Sequence, residues 1–314
     1  LVQNADVFVT NYRAAALERL SMDYETLSVM NPRLIYAYCS GYGEKGPDKD
    51  KPRFDTGAYW ARGGFLASLG EDDGPPVRQG GAGLGDQPSG LFAAGGIFLA
   101  LYFRERTGLG QKVSISLLQS ALWTNSLNVQ VALERGELPR SNRKRAANPL
   151  SNAYQTKDNK WLVLLGLQSD RYWPEFTKVM GIEHLCEDTK FNSMAGRTQN
   201  RAELIAILDS IFLTKTLEEW KKTFKGTTIM WDPANTVAEL IKDPQVLAND
   251  CLLPFEHPSK GSIQIITNPI RLSKTPFSIR RHAPECGEHT EEVLLEMGYD
   301  WEQIAGLKEI GAIA

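Results

Sequence analysis

The sequence predicts an α/β protein, a parallel sheet covered by helices, organised as two domains. Three observations lead there. Its 314 residues exceed the roughly 250–300 at which a single core stops growing. Short apolar runs alternate with helical segments through the opening part of the chain, the pattern of a helix-covered parallel sheet. The texture then changes at 136–149, GELPRSNRKRAANP, a polar, basic, proline-punctuated stretch that reads as a linker.

Asp6-Val7-Phe8-Val9-Thr10 is a short apolar run, and Arg13 to Leu20 brings alanines and leucines at helical spacing, so a strand and then a helix are expected. A second short helix is predicted over Asp23 to Met30, capped by Ser21 or Asp23. Asn31-Pro32 stops it ahead of a strand at Leu34-Ile35-Tyr36-Ala37-Tyr38. The loop at 43–53, GEKGPDKDKPR, follows that strand directly, where open α/β sheets collect ligands. Residues 88–106 form the strongest helix candidate, opened by Pro88 and apolar on nearly every face from Leu91 to Phe103, so burial is expected. Gly95 and Gly96 inside it cost about 1 kcal/mol each against alanine, which close approach of another backbone would explain. Thr107-Gly108-Leu109-Gly110 breaks this helix, Lys112 to Leu117 alternates like a strand, and 118–134 returns to helix. Beyond the linker, Trp161 to Leu165 reads as strand, and 170–180 and 200–223 as helical. Ser262 to Thr267 looks like part of a hairpin, and Glu288 to Met297 reads as a last amphipathic helix.

Composition removes several function classes. With 42% hydrophobic and 23% charged residues and a net charge of -3, the chain offers no electrostatic case for nucleic acid or an anionic membrane. Cys39, Cys186, Cys251 and Cys286 lie far apart without a CxxC pair and read as reduced thiols of a cytoplasmic protein. No run approaches the roughly 18 apolar residues of a membrane span. The four histidines show no metal-binding spacing, His184 with Cys186 included, so no metal is expected. Gly81, Gly83 and Gly85 are spaced GxGxG where a dinucleotide fingerprint needs GxGxxG. No GKS or GKT follows, and no serine sits in GxSxG.

Five places can carry chemistry, each with two readings. In GGAGLGDQPSG (80–90), Asp86 is either a cap for the helix entered through Pro88 or a carboxylate nucleophile. As a nucleophile it would be reached by a bulky acyl group across small neighbours, with backbone N–H groups of the turn and helix start stabilising an oxyanion. The same helix end would hold Asp86 ionised. Arg53, Phe54 and Asp55 are either a surface ion pair or an aromatic-acid pair lining a pocket. Thr10-Asn11-Tyr12-Arg13 with Arg19 is either an ordinary strand end or a nucleotide site built on tyrosine stacking and arginine-phosphate contacts. Arg143-Lys144-Arg145 is a solvated surface or a phosphate contact, and Tyr59, Trp60 and Phe65 are pocket aromatics or core.

Taken together, ADVFVTNYR and LERL (5–20), NPRLIYAYCSGYGEKGP (31–47), FDTGAYWARGG (54–64), GLGDQPSG (83–90), RERTGLGQKVSISLLQSAL (104–122), DPQVLAND (243–250), NPIRLSKTP (268–276) and GEHTEEVLLEMGY (287–299) resemble the family III CoA-transferases of the CaiB/BaiF type, in family order across essentially the whole chain. The resemblance implies transfer of coenzyme A between an acyl-CoA and a carboxylic acid, with Asp86 as the catalytic aspartate. That residue would form a mixed anhydride with release of CoA thiolate, then an aspartyl-CoA thioester. It places Asn11, Tyr12 and Arg19 at CoA contacts, with Arg53 or Lys51 near another. Phe54, Asp55 and Gly85 fall at the acyl pocket. Coenzyme A is then a co-substrate, and no tightly bound cofactor or ATP is implied.

The implied fold is a Rossmann-like large domain with a smaller α+β domain, in an interlocked homodimer. The boundaries expected are 1–135 for the large domain, 136–149 for the linker, 150–262 for the small domain, and 263–314 for a linker and return to the large domain. The family's opening strand and helix are not found before Leu1, so weak CoA binding is expected. Some members shield the anhydride with a glycine-run loop, and residues 148–168 contain no such run. Two alternatives stand beside transfer. The α-methylacyl-CoA racemase branch needs a histidine before an aspartate, where this chain has Phe54 before Asp55 and no histidine ahead of His184. A non-catalytic CoA-binding subunit would bind CoA without a covalent adduct. For substrates, YGEKGPDKDKP and FDTGAYWARGG look most like transferases of 2-hydroxy or aryl-2-hydroxy acids.

Overall fold

A computed structural model describes residues 1–72, 74–81, 83–136 and 142–313. Two compact units emerge. One comprises Leu1–Pro149 with Ser193–Ile205, the other Leu150–Asn192 with Ala206–Ala314. Part of the linker expected at 136–149 lies outside the described residues.

The first unit is built on three parallel strands in the order β1 (Val7–Thr10), β2 (Ile35–Ser40), β3 (Gln111–Ser116). The register pairs Thr10 with Tyr38 and Ser40 with Ser116, so the strands end close together at their carboxyl ends. Two short helices, α1 (Ala14–Arg19) and α2 (Tyr24–Met30), connect β1 to β2. Asp23 caps α2, accepting from Thr26 N at 2.9 Å and Thr26 Oγ1 at 2.8 Å, which settles the choice between Ser21 and Asp23. Alternation along β2 sends Tyr36 and Tyr38 to the face where they pack with Leu17, Leu27 and Leu34. Ile35 and Ala37 point to the opposite face, with Val113 of β3 level with Ala37.

A π-helical turn at Thr56–Ala61 and the short α3 (Phe65–Ser68) follow β2. The long α4 (Asp86–Thr107) then runs down the Ile35/Ala37/Val113 face and stops at Gly108, whose φ of 80° closes the helix with an N–H donated to Arg104 O at 2.7 Å. This helix departs from expectation. Leu91, Phe98, Leu99 and Tyr102 are 60%, 67%, 73% and 63% exposed. The physical reason is spacing: Ser89, Ala93, Gly96, Ala100 and Arg104 form the stripe laid on the sheet, and the large side chains point away from it. At Gly96 a side chain comes close in place of the expected backbone, since a Cβ there would lie 2.6 Å from Val113 Cγ1. Gly95 has open space around it, so the expectation fails there. Arg104, buried at the far end, pairs with Asp6 at 2.9 Å.

The helix expected over 118–134 is two, α5 (Leu117–Thr124) and α6 (Ser126–Arg135). They part at Asn125, whose amide reaches Gly63 O at 3.4 Å.

The second unit holds an antiparallel sheet of β4 (Ala153–Gln155), β5 (Trp161–Leu164) and β6 (Trp231–Pro233), with α7 (Ser169–Met180). The helical stretch expected at 200–223 contains α9 (Arg201–Phe212), whose start, like the preceding α8 (Met194–Gln199), is counted with the first unit and whose remainder belongs to the second. It then breaks before α10 (Leu217–Phe224), which starts at a Thr216/Glu219 capping box. Tyr154, Phe212, Trp220 and Phe224 form a continuous aromatic core with centroid separations of 4.7, 4.9 and 5.4 Å. Short helices α11 (Val237–Leu240) and α12 (Pro244–Ala248) lead to a hairpin, β7 (Leu252–His257) and β8 (Gly261–Ile266). The helix expected last is α13 (Thr290–Glu296), and a further helix, α14 (Trp301–Glu309), follows it behind an Asp300 cap. Residues 263–314 fall within this unit.

The start of β3 is pinned by Gly110, whose N–H donates to Pro32 O at 2.8 Å and where a Cβ would stand 2.1 Å from Leu34 O. Because the obstacle is backbone, Gly110→Ala is expected to destabilise the fold by about 1–3 kcal/mol or more, read by denaturant melting.

Candidate active site

Every strand of the parallel sheet delivers its following segment to one cleft of about 1110 Å³. That is at the upper edge of the roughly 300–1,000 Å³ usual for small-molecule sites and suits an extended ligand. Asn11 and Tyr12 come from the end of β1, Arg53, Phe54 and Asp55 from the segment behind β2, Ser116 from the end of β3, and Asp86 and Ser89 from the start of α4. This is the crevice where α/β sheets bind ligands, at the carboxyl ends of the strands.

Asp55 is buried, and its Oδ2 accepts from Gly85 N at 3.2 Å and Gln79 Nε2 at 3.1 Å. Thr56 Oγ1 stands 3.4 Å from its Oδ1. Gly85 is in turn tight against Tyr59, because a Cβ at 85 would lie 2.6 Å from Tyr59 Cγ. Tyr59 stacks on Phe65 with centroids 5.2 Å apart, so these aromatics are packing behind the site and do not line the cleft.

Asp86 is the first residue of α4 and not its cap. The N-cap is Gly85, and no side chain caps the helix. Its carboxylate has no hydrogen-bond partner among the described residues. Asp86 is an exposed residue, yet partial desolvation of its carboxyl, and after it the negative charge of Asp55, push its pKa above the ordinary carboxylate value, against the pull of the helix N-terminus. The helix end that favours the ionised form is thus opposed by these two effects. Two of the expected oxyanion donors are engaged elsewhere, Gly85 N–H on Asp55 and Gln87 N–H on Gly83 O at 3.0 Å, and Pro88 has none.

Arg53 is neither a surface ion pair nor a free cation. Its Nη2 donates to Cys39 O at 3.0 Å and to Asn11 O, clamping the ends of β1 and β2, and its stem crosses Gly41. Phe54 stands at the rim, 85% exposed. Arg19, exposed at the end of α1, and Lys51, 5.8 Å over the Tyr42 ring, are not among the cleft residues. Gln79, Ser40, Ser89 and Ser116 were not singled out in the sequence. Gln79 had one local signal, its place immediately before the glycine run.

The profile of CoA-transferase family III matches residues 1–290. The chain belongs to CoA-transferase family III. It is 34% identical over 309 residues to the (R)-2-hydroxy-4-methylpentanoate CoA-transferase of Clostridioides difficile, covering 98% of this chain and 77% of that protein. It is likewise 34% identical over 312 residues to the cinnamoyl-CoA:phenyllactate CoA-transferase of Clostridium sporogenes, covering 98% and 76%. Among solved structures, a CaiB/BaiF family protein from Brucella suis superposes with a TM-score of 0.82 at 26% identity, over 94% of this chain and 76% of that one. As a family III CoA-transferase the chain is an enzyme whose substrates are an acyl-CoA and a carboxylic acid. No described helix is long and apolar enough to cross a membrane.

A folded-state pKa raised above the unfolded value means that the ionised carboxylate is penalised in the fold. The stability tied to Asp86 is then full below the unfolded pKa and lost as pH rises through the folded one. Asp86→Asn, which cannot ionise, is expected to melt above the parent at about pH 8 and to lose that advantage toward about pH 3, in thermal denaturation followed by circular dichroism.

Proposed function

We propose that Asp86 is the nucleophile of a CoA-transferase acting on 2-hydroxy acids or their aryl counterparts. The observation that carries it is an unpartnered carboxylate of raised pKa at the cleft where the sheet presents its carboxyl ends. The Asp86 carboxylate attacks the thioester carbonyl of the donor, breaking the C–S bond, to give an acyl-aspartyl anhydride and CoA thiolate. The thiolate attacks the aspartyl carbonyl, releasing the donor acid and leaving an aspartyl-CoA thioester. The acceptor carboxylate attacks that thioester, forming a second anhydride and again freeing thiolate. Attack of the thiolate on the acceptor's acyl carbon gives the new acyl-CoA and restores Asp86. Each step exchanges one activated acyl group for another, so no nucleotide is consumed. Asn11 and Tyr12 hold the CoA moiety, Arg53 fixes the strand ends beneath it, and Phe54 and Asp55 border the acyl group. The 2-hydroxyacid class rests on the two relatives named above. A racemase reading is disfavoured because no histidine lines the cleft.

The same reading includes a homodimer. The outer face of α4 leaves Leu91, Phe98, Leu99 and Tyr102 exposed, and Trp123 and Leu127 nearby in the chain are 70% and 84% exposed, more apolar surface than an isolated subunit ordinarily shows. A second copy of the chain is the expected cover. Phe98→Glu with Leu99→Glu is expected to yield monomers in sedimentation where the parent is dimeric. A parent sedimenting as a single 35.0 kDa chain overturns the dimer.

For the chemistry, the protein is incubated with a panel of 2-hydroxyacyl-, enoyl- and succinyl-CoA, and peptides are read by mass spectrometry. An acyl or CoA adduct on the Asp86 peptide, with turnover in Asp86→Asn lower by about 10³-fold or more, is the expected result. An adduct on another peptide, or undiminished turnover, sinks the assignment.

A further inference from the structure

We propose that Gln79 is a positioning residue of this site, its carboxamide locking Asp55 and the glycine turn into the arrangement from which Asp86 acts; the role rests on Asp86 being the nucleophile. Gln79 lies immediately before the glycine run and joins two segments that the chain keeps apart. Its Nε2 donates to Asp55 Oδ2 at 3.1 Å and to Gly81 O at 2.5 Å, and its Oε1 contacts Thr56 Oγ1.

The network leaves one orientation for the amide. Asp55 and Gly81 both offer acceptors, so the NH₂ must face them with its two hydrogens, and Oε1 must face the hydroxyl. Thr56 has a single hydroxyl proton, and with Gln79 Oε1 closer than Asp55 Oδ1 the proton goes to Gln79. Both N–H groups and the carbonyl oxygen of the carboxamide thus each have a partner. Asp55 Oδ2 consequently receives two N–H donors, one from Gln79 and one from Gly85, the residue directly before Asp86. Gln79 also ties the turn at Gly81, so both ends of the 81–85 segment are referred to the same carboxylate.

Gln79 is not among the residues lining the cleft, so it acts through Asp55 and the turn. Its loss should slow the step at Asp86 without weakening capture of the donor. Replacing the amide by a carboxyl keeps the shape and sets an oxygen against Asp55 Oδ2 and Gly81 O. The carboxylates bearing on that position are Asp55 and, beyond it, Asp86, with Arg53 and Arg78 flanking in sequence. A methionine removes both donors at every pH.

The experiment compares parent, Gln79→Glu and Gln79→Met for kcat and donor KM between about pH 5.5 and 8.5, alongside Asp86 labelling by acyl-CoA and the melting temperature. Both variants are expected to lose about tenfold or more in kcat at high pH, with donor KM within about twofold of the parent. The Gln79→Glu deficit should narrow toward acid pH, where a proton shared with Asp55 restores a donor, and the Gln79→Met deficit should not. A Gln79→Glu rate within twofold of the parent at high pH overturns the role, as does a pH-independent deficit equal to that of Gln79→Met, which marks plain structural damage. A parent that transfers CoA without labelling Asp86 removes the nucleophile and this role together, whereas a labelled parent with indifferent variants removes only the role of Gln79.

Discussion

The buried hydrogen bond from Gly85 N–H to the Asp55 carboxylate joins the segment behind β2 to the first turn of α4, and the order of the cleft depends on it. A charged acceptor makes this a strong bond, and burial removes the water that would compete for it. It brings together two acids that are 31 positions apart in sequence, Asp55 and Asp86, and it spends a helix-start N–H on doing so. Tyr59 packs against Gly85 from behind, and the glycine is required there by close approach, since its φ of -85° is open to any residue. Gly83, with φ of 74°, is the position in this turn where backbone conformation itself calls for glycine. The glycines of one short run therefore answer different constraints.

Local signals in the sequence were sufficient wherever local physics decides the outcome. Asp23 caps α2 because a short carboxylate three residues ahead of Thr26 can reach its N–H, and the alternation of apolar runs placed all three parallel strands. The exposure of α4 was hidden, because apolar content says that a face wants cover and not that the sheet will take the small side chains. The roles of Arg53 and Gln79 were hidden for a related reason: their partners are carbonyls and carboxylates delivered from other segments, and residue type alone cannot name them. Asp86 lies between these cases. Local chemistry left cap and nucleophile open, the family motifs favoured the second, and the structure puts Gly85 at the cap position.

The two carboxylates divide their duties by solvation. Asp55 is buried and bonded to the backbone of the helix start, so its charge is structural in position and electrostatic in effect. Asp86, the residue after Gly85, has neither bond nor counter-ion among the described residues, and the charge of Asp55 adds to partial desolvation in raising its pKa. A carboxylate raised in this way is a better base and a better nucleophile than a salt-bridged one, and the fold gives up some stability to hold it.

That division also constrains how an anhydride could be stabilised. The turn preceding α4 would be the natural source of oxyanion donors, but Gly85 N–H is committed to Asp55, Gln87 N–H to Gly83 O, and Pro88 contributes none. A hydrogen bond to a charged group contributes about 1.5–3 kcal/mol, so recruiting Gly85 N–H to the substrate would require a comparable new interaction for Asp55. Donors outside this turn avoid that cost: Ser116 stands at the cleft, whereas the Ser89 hydroxyl already donates to Gly85 O at 2.9 Å. The same Gly85–Asp55 bond that brings the two carboxylates together thus withholds a helix-start N–H from any ligand in the cleft.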